Sequence, residues 1–408
     1  MNGATRLDES PAFPGAAGKI AWASLFALAG GHFAVDSCIG IWPVFKTLAH
    51  LDLAKAGLIA TAGAMAGNAL QIGFGLLADR GWRRRLLLAG PLLAGAVTLV
   101  PWASSYAVMF ALVLATYIGS AAFHPSGTGA AAMLTREQTG LTVALFMAGG
   151  YLGNSLSQLL FSQLYERIPL MTPVLLVVPA ASALATARLV PATAPRASLG
   201  GETWRALKPR AGVLSTLFVL QILTTGLSIA LIFLLPDLLL SRQAPSWMVN
   251  GGGHFALVAG AGLTVLPAGH AADRWGPRRA LLVANLGAGA VLAALLARSS
   301  ATPIDLALVA AFGAFNGMNN VVVVSEGNRL MPGQASAASA LLMGMPWTVA
   351  AAASVVAGLL ADPSRGGSPA RALAWIWLAA PLALVVGLLV RRPATPRHGP
   401  PSSPLGWK

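Results

Sequence analysis

The sequence is poor in charged residues and in cysteine, and both shortages exclude whole classes of protein. Only 10% of the 408 residues are charged, whereas hydrophobic types make up 56%; a soluble globular chain carries about 25% charged residues. So few charges cannot cover a water-facing surface, which excludes a soluble enzyme or binding module. Intrinsic disorder is excluded because it requires low hydrophobicity. The single cysteine, Cys38, rules out a disulfide framework and a multi-cysteine zinc site.

Long apolar runs are what the sequence has in abundance. A membrane-spanning helix needs about 20 mostly apolar residues. Twelve such runs cover roughly residues 20–48, 56–78, 86–104, 107–134, 140–164, 170–189, 213–240, 247–272, 280–297, 304–324, 335–361 and 370–390. Because open strands cannot cross lipid, the predicted fold class is an all-α membrane protein with twelve transmembrane helices. The first run is too long for a signal peptide, and we expect it to be retained.

The basic residues are distributed unevenly between the loops. The formal net charge is +14, with 27 Lys and Arg. If the N-terminus faces inward, 20 of these lie on the inner side and 7 on the outer side. This bias is the positive-inside rule, and it accounts for the basic charge without a nucleic-acid partner. It predicts a multi-pass protein of a bacterial cytoplasmic membrane, with both termini in the cytoplasm.

The longest hydrophilic connection divides the chain into halves of six spans each. It lies between the sixth and seventh spans and contains Pro, Ser, Gly and several basic residues. The predicted organisation is an inner tail (1–19), a six-helix bundle (20–190), an inner linker (191–212), a second six-helix bundle (213–391) and an inner C-terminal tail (392–408).

One segment occurs twice, half a chain apart. The copies begin at Gly75 and at Gly269, and an aspartate follows four residues later in each, so both residues recur at an offset of 194. A parallel repeat of this length is typical of transporters built from two six-helix bundles. Glycine permits close helix approach, and an aspartate at the membrane boundary can meet a helix N-terminus or an arginine. We predict that these segments form a gate latch. Its residues are Gly75, Asp79, Arg83, Gly269, Asp273 and Arg278.

The repeated segment resembles the loop signature of the major facilitator superfamily, Gly-x-x-x-Asp-Arg/Lys-x-Gly-Arg/Lys-Arg/Lys. The second copy matches well, and the first has Gly81 and Trp82 exchanged. The resemblance covers all twelve spans. It implies a rocker-switch fold in which spans 1, 4, 7 and 10 line a central cavity.

Two spans of the first half carry ionisable side chains. In span 1, Asp36 follows His32 by four residues, so both lie on one helix face. An acid inside a span is costly and by default suggests function; the alternative is a structural hydrogen bond to a neighbouring helix. Span 4 contains His124 beside Pro125, which removes a helix hydrogen bond. The predicted irregular, polar stretch belongs where it lines a cavity, or else it is a kink held by side-chain hydrogen bonds.

We predict Asp36 as the proton-coupling group and His124 as its partner. At about 1.5 Å per residue, Asp36 lies some 22 Å along span 1 and His124 roughly 25 Å along span 4, which runs the opposite way. We therefore expect the two residues at different depths, joined through water, Ser126 or the substrate rather than in direct contact.

Uncharged polar residues of the second half are expected to complete the cavity. The predicted cavity residues are His32, Phe33, Phe123, Ser126, Gln221, Thr225, Asn316, Asn319 and Asn320. Glu326 and Arg329 form a possible pair at the inner end of span 10, with an ordinary surface ion pair as the alternative. Lys and Arg are missing from the middle of every predicted span, which argues against a strongly anionic substrate.

Gly30–Ala34 recurs as Gly252–Ala256, but at an offset of 222 rather than 194. We interpret this recurrence as coincidence rather than as a shared histidine metal site. No metal or cofactor is expected.

Several motifs are similar to those of the fosmidomycin resistance branch of the superfamily. They are Gly-His-Phe-x-x-Asp in span 1, Phe-His-Pro in span 4, the run Gly149–Leu156 in span 5, and Glu326 followed by Leu330–Gly333. The resemblance implies efflux of a drug or metabolite driven by proton antiport.

The predicted function is proton-coupled export of a small molecule by a monomer embedded in the lipid bilayer. A facilitator or uptake symporter on the same scaffold remains an alternative. A membrane receptor or intramembrane enzyme is disfavoured, because the sequence lacks a His-Glu-x-x-His cluster and an intramembrane aspartate pair. We therefore predict that the protein is not an enzyme.

Overall fold

The computed structural model describes residues 21–134, 139–191, 208–331 and 340–390. In these ranges the regular structure is helical throughout, and it contains no strand. The two predicted tails and most of the predicted linker lie outside the described residues, so the division into domains stays a prediction. We call the side at which the first helix begins the inner side, following the predicted orientation, and the opposite side the outer side.

The described helices follow the twelve predicted spans in order, and we label them α1 to α12. They are α1 (Trp22–Leu48), α2 (Leu53–Leu77), α3 (Arg83–Ala94, extended by Gly95–Trp102), α4 (Tyr106–Ala132), α5 (Thr139–Arg167), α6 (Pro169–Leu189), α7 (Ala211–Ser241), α8 (Met248–Leu263, continued by Val265–Trp275), α9 (Pro277–Leu296), α10 (Pro303–Leu330), α11 (Met345–Ala361, preceded by Ala340–Gly344) and α12 (Pro369–Leu389).

Not every span is a single long apolar helix. Eight of the described helical stretches are long and apolar enough to cross a membrane by themselves. One of them, Leu53–Trp102, is 50 residues long and reverses at Gly81, whose φ of 96° is a left-handed value that glycine adopts without strain. The two segments of α8 bend by 45°. The described part of α11 is a shorter apolar helix.

The prediction of an irregular stretch around Pro125 is wrong, because α4 stays helical from Tyr106 to Ala132. Side chains one turn apart bond to the backbone on both sides of the proline. The ring of His124 lies 2.9 Å from the carbonyl oxygen of Ser120, and the hydroxyl of Thr128 donates to the carbonyl oxygen of His124 at 2.9 Å. These side-chain bonds add to the helical backbone bonds on either side of the proline, which itself has no N–H to donate.

Packing within the first half brings the polar residues of different helices together. α1 packs along α5 and also against α4, and α2 packs along α4. Between the halves, α2 packs against α11 and α5 against α8. Large apolar side chains face outward, among them Phe26, Leu170, Leu263 and Trp375, each more than 60% exposed. Such a surface suits lipid rather than water, and the protein is a multi-pass membrane protein.

Candidate functional site

Two helices of the first half bring three polar side chains into contact inside the membrane-spanning region. His32 and Asp36 lie one turn apart on α1, and His124 comes from α4. Oδ2 of Asp36 lies 3.3 Å from Nε2 of His32, and Oδ1 lies 3.1 Å from Nε2 of His124. The two imidazole rings meet edge to face, with their centroids 4.9 Å apart. We call His32, Asp36 and His124 the triad.

The direct contact between Asp36 and His124 shows that the predicted difference in depth is wrong. That estimate counted residues from the ends of the spans. α1 and α4 each contain 27 residues, more than the roughly 20 that a crossing needs. The two helices can therefore extend beyond the membrane core by different lengths. In tilted helices, two residues that lie at different distances from their helix ends can lie at the same depth. Ser126, the predicted relay, is completely buried, and its hydroxyl has no hydrogen-bond partner among the described residues.

Backbone carbonyl groups orient both imidazole rings. Nδ1–H of His32 donates to the carbonyl oxygen of Phe146 at 2.9 Å, since a carbonyl oxygen can only accept. Nε2 of a neutral His32 would then present a lone pair to Asp36. Nδ1 of His124 lies 2.9 Å from the carbonyl oxygen and from the hydroxyl of Ser120, and the carbonyl favours the same tautomer. An ionised Asp36 carboxylate beside two Nε2 lone pairs requires a nearby positive charge. Protonation of one or both imidazole rings can supply that charge.

Two members of the triad are partly exposed, and the third is buried. The side chains of Asp36 and His124 are 15% and 24% exposed, whereas that of His32 is 2% exposed. His32 stacks on Phe146, with ring centroids 4.3 Å apart. The Asp36 carboxylate can therefore exchange protons with water directly or through His124, while the buried His32 ring packs on its protected side.

α5 passes so close to the triad that only glycine fits at position 150. A Cβ atom at Gly150 would lie 2.4 Å from Nε2 of His32 and 2.7 Å from Oδ2 of Asp36. One turn along, a Cβ atom at Gly153 would lie 2.2 Å from the carbonyl oxygen of Phe33. These glycines let α5 approach α1 closely enough to close one face of the triad.

The structure separates the aromatic residues of the predicted cavity from the triad's open side. Phe123 is completely buried and packs against His32 and Phe146, with ring centroids 6.3 Å and 6.1 Å away. Phe33 is half-buried on α1, beside Gly153. Phe123 therefore supports the triad from the core rather than facing a substrate.

The polar residues of the second half form their own network. Gln221 of α7 donates to Asn320 of α10 at 2.6 Å. Asn319 of α10 donates to the hydroxyl of Thr224 at 2.8 Å and accepts from Asn285 of α9 at 2.9 Å. Asn285 was not predicted. Thr225 is buried, and Asn316 is half-buried. Asn319 thus joins three helices, whereas the half-buried Asn316 and Asn320 keep part of their surface accessible.

The repeated segments pair their aspartates with arginines, one of the two partners predicted for them. Asp79 accepts from Arg83 at 3.0 Å. Asp273 pairs with Arg329 at the inner end of α10, a partner that the sequence analysis had assigned to Glu326. Glu326 is buried and lies 3.8 Å from the same arginine.

The glycines and arginines of the two latch segments differ in their surroundings. Arg83 is buried, whereas Arg278 is exposed. A Cβ atom at Gly75 would lie 3.6 Å from Pro125, whereas one at Gly269 would meet nothing within 4 Å.

A buried ion pair joins the two halves toward the outer side. Lys46 of α1 is completely buried and pairs with Asp237 of α7, whose side chain is 12% exposed. The hydroxyl of Thr47 donates to the same carboxylate at 2.9 Å, and the Lys46 ammonium lies 4.6 Å from the centroid of the Phe233 ring. The contact stabilises a closed outer end.

α5 and α8 join the halves at a second place. The side-chain amide of Asn250 donates to Glu166, and the backbone carbonyl oxygen of Asn250 accepts from the hydroxyl of Ser162 at 2.6 Å. Deeper in the membrane, Nε2 of His254 donates to the side-chain oxygen of Asn154 at 2.8 Å. The glycine-histidine recurrence therefore places His254 against α5, in a different setting from His32.

Comparison with known proteins identifies the family. Residues 21–240, more than half of the chain, match the Major Facilitator Superfamily. The chain belongs to the major facilitator superfamily. No curated protein sequence matches this superfamily member.

Solved structures share its fold. One is a bacterial homolog of the human lysosomal transporter Spinster, in an inward-facing and unoccupied conformation. Its TM-score is 0.70 at 14% identity, and the match covers 90% of this chain and 94% of that one. Another is the nucleoside transporter NupG, in a variant with an aspartate replaced by alanine. Its TM-score is 0.71 at 14% identity, with 90% and 97% covered. The superfamily fold of this protein is therefore a transporter fold.

Sequence reasoning missed two charged residues of this superfamily member that a simple signal could have found. Asp237 lies in the apolar run Phe233–Leu240, and an acid within a span suggests function by the same rule that singled out Asp36. Lys46 lies near the outer end of the first predicted run, 20–48, and was counted only as one of the seven basic residues on the outer side. Phe146 could not have been found, because it holds the triad through its backbone carbonyl.

Proposed function

We propose that this protein is a proton-coupled secondary transporter that exports a small drug-like molecule or metabolite by alternating access. It acts as a monomer in a bacterial cytoplasmic membrane, with both termini in the cytoplasm. One observation carries the proposal: Asp36 is an acid inside a span, held between two imidazole rings and still partly exposed. Intramembrane acids paired with histidine are typical of proton relays.

The closed outer end assigns this arrangement to the inward-facing part of the cycle. Lys46, which lies nearer the outer end of α1 than the triad, is completely buried. We therefore infer that water reaches Asp36 from the inner side, opposite the buried Lys46–Asp237 pair. In the outward-facing state Asp36 would load protons, and substrate arriving from inside would then displace them.

The polar side chains of the second half favour a substrate with hydrogen-bonding groups and little negative charge. The second half offers the half-buried amides of Asn316 and Asn320, and the buried Gln221 holds Asn320 in place. Export rather than uptake is supported by the resemblance to the fosmidomycin resistance branch. A facilitator or an uptake symporter remains the competing function on this scaffold.

Transport by purified protein in sealed liposomes tests the proposal. A panel of drug-like molecules and metabolites is loaded, and a pH gradient is imposed in either direction. Proton antiport predicts that at least one compound moves against its own gradient while protons move the opposite way. Movement of compound and protons in the same direction would favour the symporter, and gradient-independent equilibration would favour the facilitator. If every compound fails under all gradients, the proposed class of substrate is wrong.

A further inference from the structure

We infer that the triad binds one divalent transition-metal ion of the zinc class. The observation is geometric: His32, Asp36 and His124 each offer one ligand atom, and these atoms all lie within 4.8 Å of one another. Imidazole nitrogens with a carboxylate oxygen are a common ligand set for zinc and its neighbours. The inference goes beyond the proposed function, because metal binding requires only this geometry and not proton-coupled transport.

The distances suit a small ion. Bonds of about 2.0–2.2 Å to nitrogen and oxygen place tetrahedral ligand atoms about 3.3–3.6 Å apart. Oδ2 of Asp36 already lies 3.3 Å from Nε2 of His32, and the other carboxylate oxygen, Oδ1, lies 3.1 Å from Nε2 of His124. Since no separation exceeds 4.8 Å, a shift of about 1 Å in the partly exposed His124 ring completes the geometry.

The surroundings of the histidines match those of metal ligands. A ligating histidine donates its other ring N–H to a carbonyl or carboxylate, which fixes the tautomer and the ring orientation. Here Nδ1–H of His32 donates to the carbonyl oxygen of Phe146 at 2.9 Å, and Nδ1 of His124 lies 2.9 Å from the carbonyl oxygen of Ser120. Both Nε2 lone pairs are thereby directed at the space beside Asp36. The same lone pairs make the triad require a cation, and a metal ion supplies the charge without a proton.

The triad also has an entry path and an open coordination position. The side chains of Asp36 and His124 are partly exposed, which gives an ion a route to two of the three ligands. Gly150 closes the opposite face without offering a side-chain ligand. Within the described residues the cluster has three members, which leaves a fourth position for water or for a donor group of the substrate.

Metal titration of the purified full-length protein, with any affinity tag removed, tests the inference. Calorimetry with Zn²⁺ should show one site per chain with about micromolar or tighter affinity, and binding should release protons into a weakly buffered solution. Asp36→Asn and His124→Ala should each weaken binding at least about 100-fold. His270→Ala is the matched control, because His270 is an exposed histidine outside the triad, and it should bind like the unchanged protein.

Two outcomes would overturn the inference. One is the absence of a stoichiometric site in the unchanged protein. The other is binding that survives both triad substitutions or disappears in His270→Ala. Folding of each variant is checked by its thermal unfolding transition. If a triad variant does not fold, Cu²⁺ electron paramagnetic resonance on the unchanged protein decides. Couplings to two imidazole nitrogens support the triad, and a spectrum without them contradicts it.

Discussion

Asp237→Asn is expected to open the outer side of the protein. The substitution leaves the Lys46 ammonium buried without its carboxylate, and removal of one partner of a buried ion pair costs about 3–5 kcal/mol. Lys46 is completely buried in the closed arrangement, whereas a separated outer end would hydrate it. The cost therefore falls on the closed state alone. A bias of 3 kcal/mol or more shifts the equilibrium between the two states about a hundredfold toward outward-facing.

Distances between spin labels on the two halves measure this shift. Met171→Cys at the start of α6 and Ser246→Cys just before α8 place labels at exposed outer positions, in a Cys38→Ser background. Asp237→Asn should move the main distance to a longer value. The matched control adds Lys46→Met, which removes both charges, and should restore much of the short-distance population because paired removal is close to neutral. A distribution unchanged by Asp237→Asn would refute the reasoning.

Three further outcomes are expected. Gly150→Ala should abolish proton-driven transport, because the new methyl group would lie 2.4 Å from Nε2 of His32. The clash should destabilise the triad arrangement by about 1–3 kcal/mol. Transport in liposomes measures the loss. Asp273→Asn should slow turnover and leave equilibrium substrate binding nearly unchanged, because the Asp273–Arg329 pair lies at the inner end of the bundle; kinetics and binding are measured side by side. A reporter fused after Lys408 should be active on the cytoplasmic side.

Each of these has a control. Gly30→Ala should be tolerated, because a Cβ atom there would meet nothing within 4 Å; equal damage by both glycine variants would show that Gly150 has no special role. A large loss of substrate binding in folded Asp273→Asn protein would contradict a switching role. A reporter inserted at Arg365, between α11 and α12, should be active outside. The opposite pattern would reverse the topology.

Spans were predictable from the sequence because the constraint that lipid imposes is local. Each apolar run must bond its own backbone within one helix, so the run itself predicts the helix. The shared face of His32 and Asp36 follows from helix periodicity in the same way. Contacts between helices are not local. His124 reaches Asp36 from a helix 88 residues away, and its depth depends on tilts that hydropathy does not encode.

Pairing across the two halves was the least accessible to sequence reasoning. Lys46 and Asp237 are separated by 191 residues, and each could have paired within its own half. Asp237 could have been marked as functional by its apolar surroundings, but its partner could not. The glycine at position 150 was noticed only as part of a family motif. Its physical reason, the space needed by His32 and Asp36, requires the third dimension.

The measurement that tests the central claim most directly is transport by Asp36→Asn protein in liposomes. Asparagine keeps the shape of the side chain and cannot carry the proton. The account predicts that a pH gradient no longer drives accumulation of the substrate, while exchange down the substrate's own gradient continues. If the variant still concentrates substrate against its gradient, Asp36 is structural, and the coupling group must be sought at Glu326.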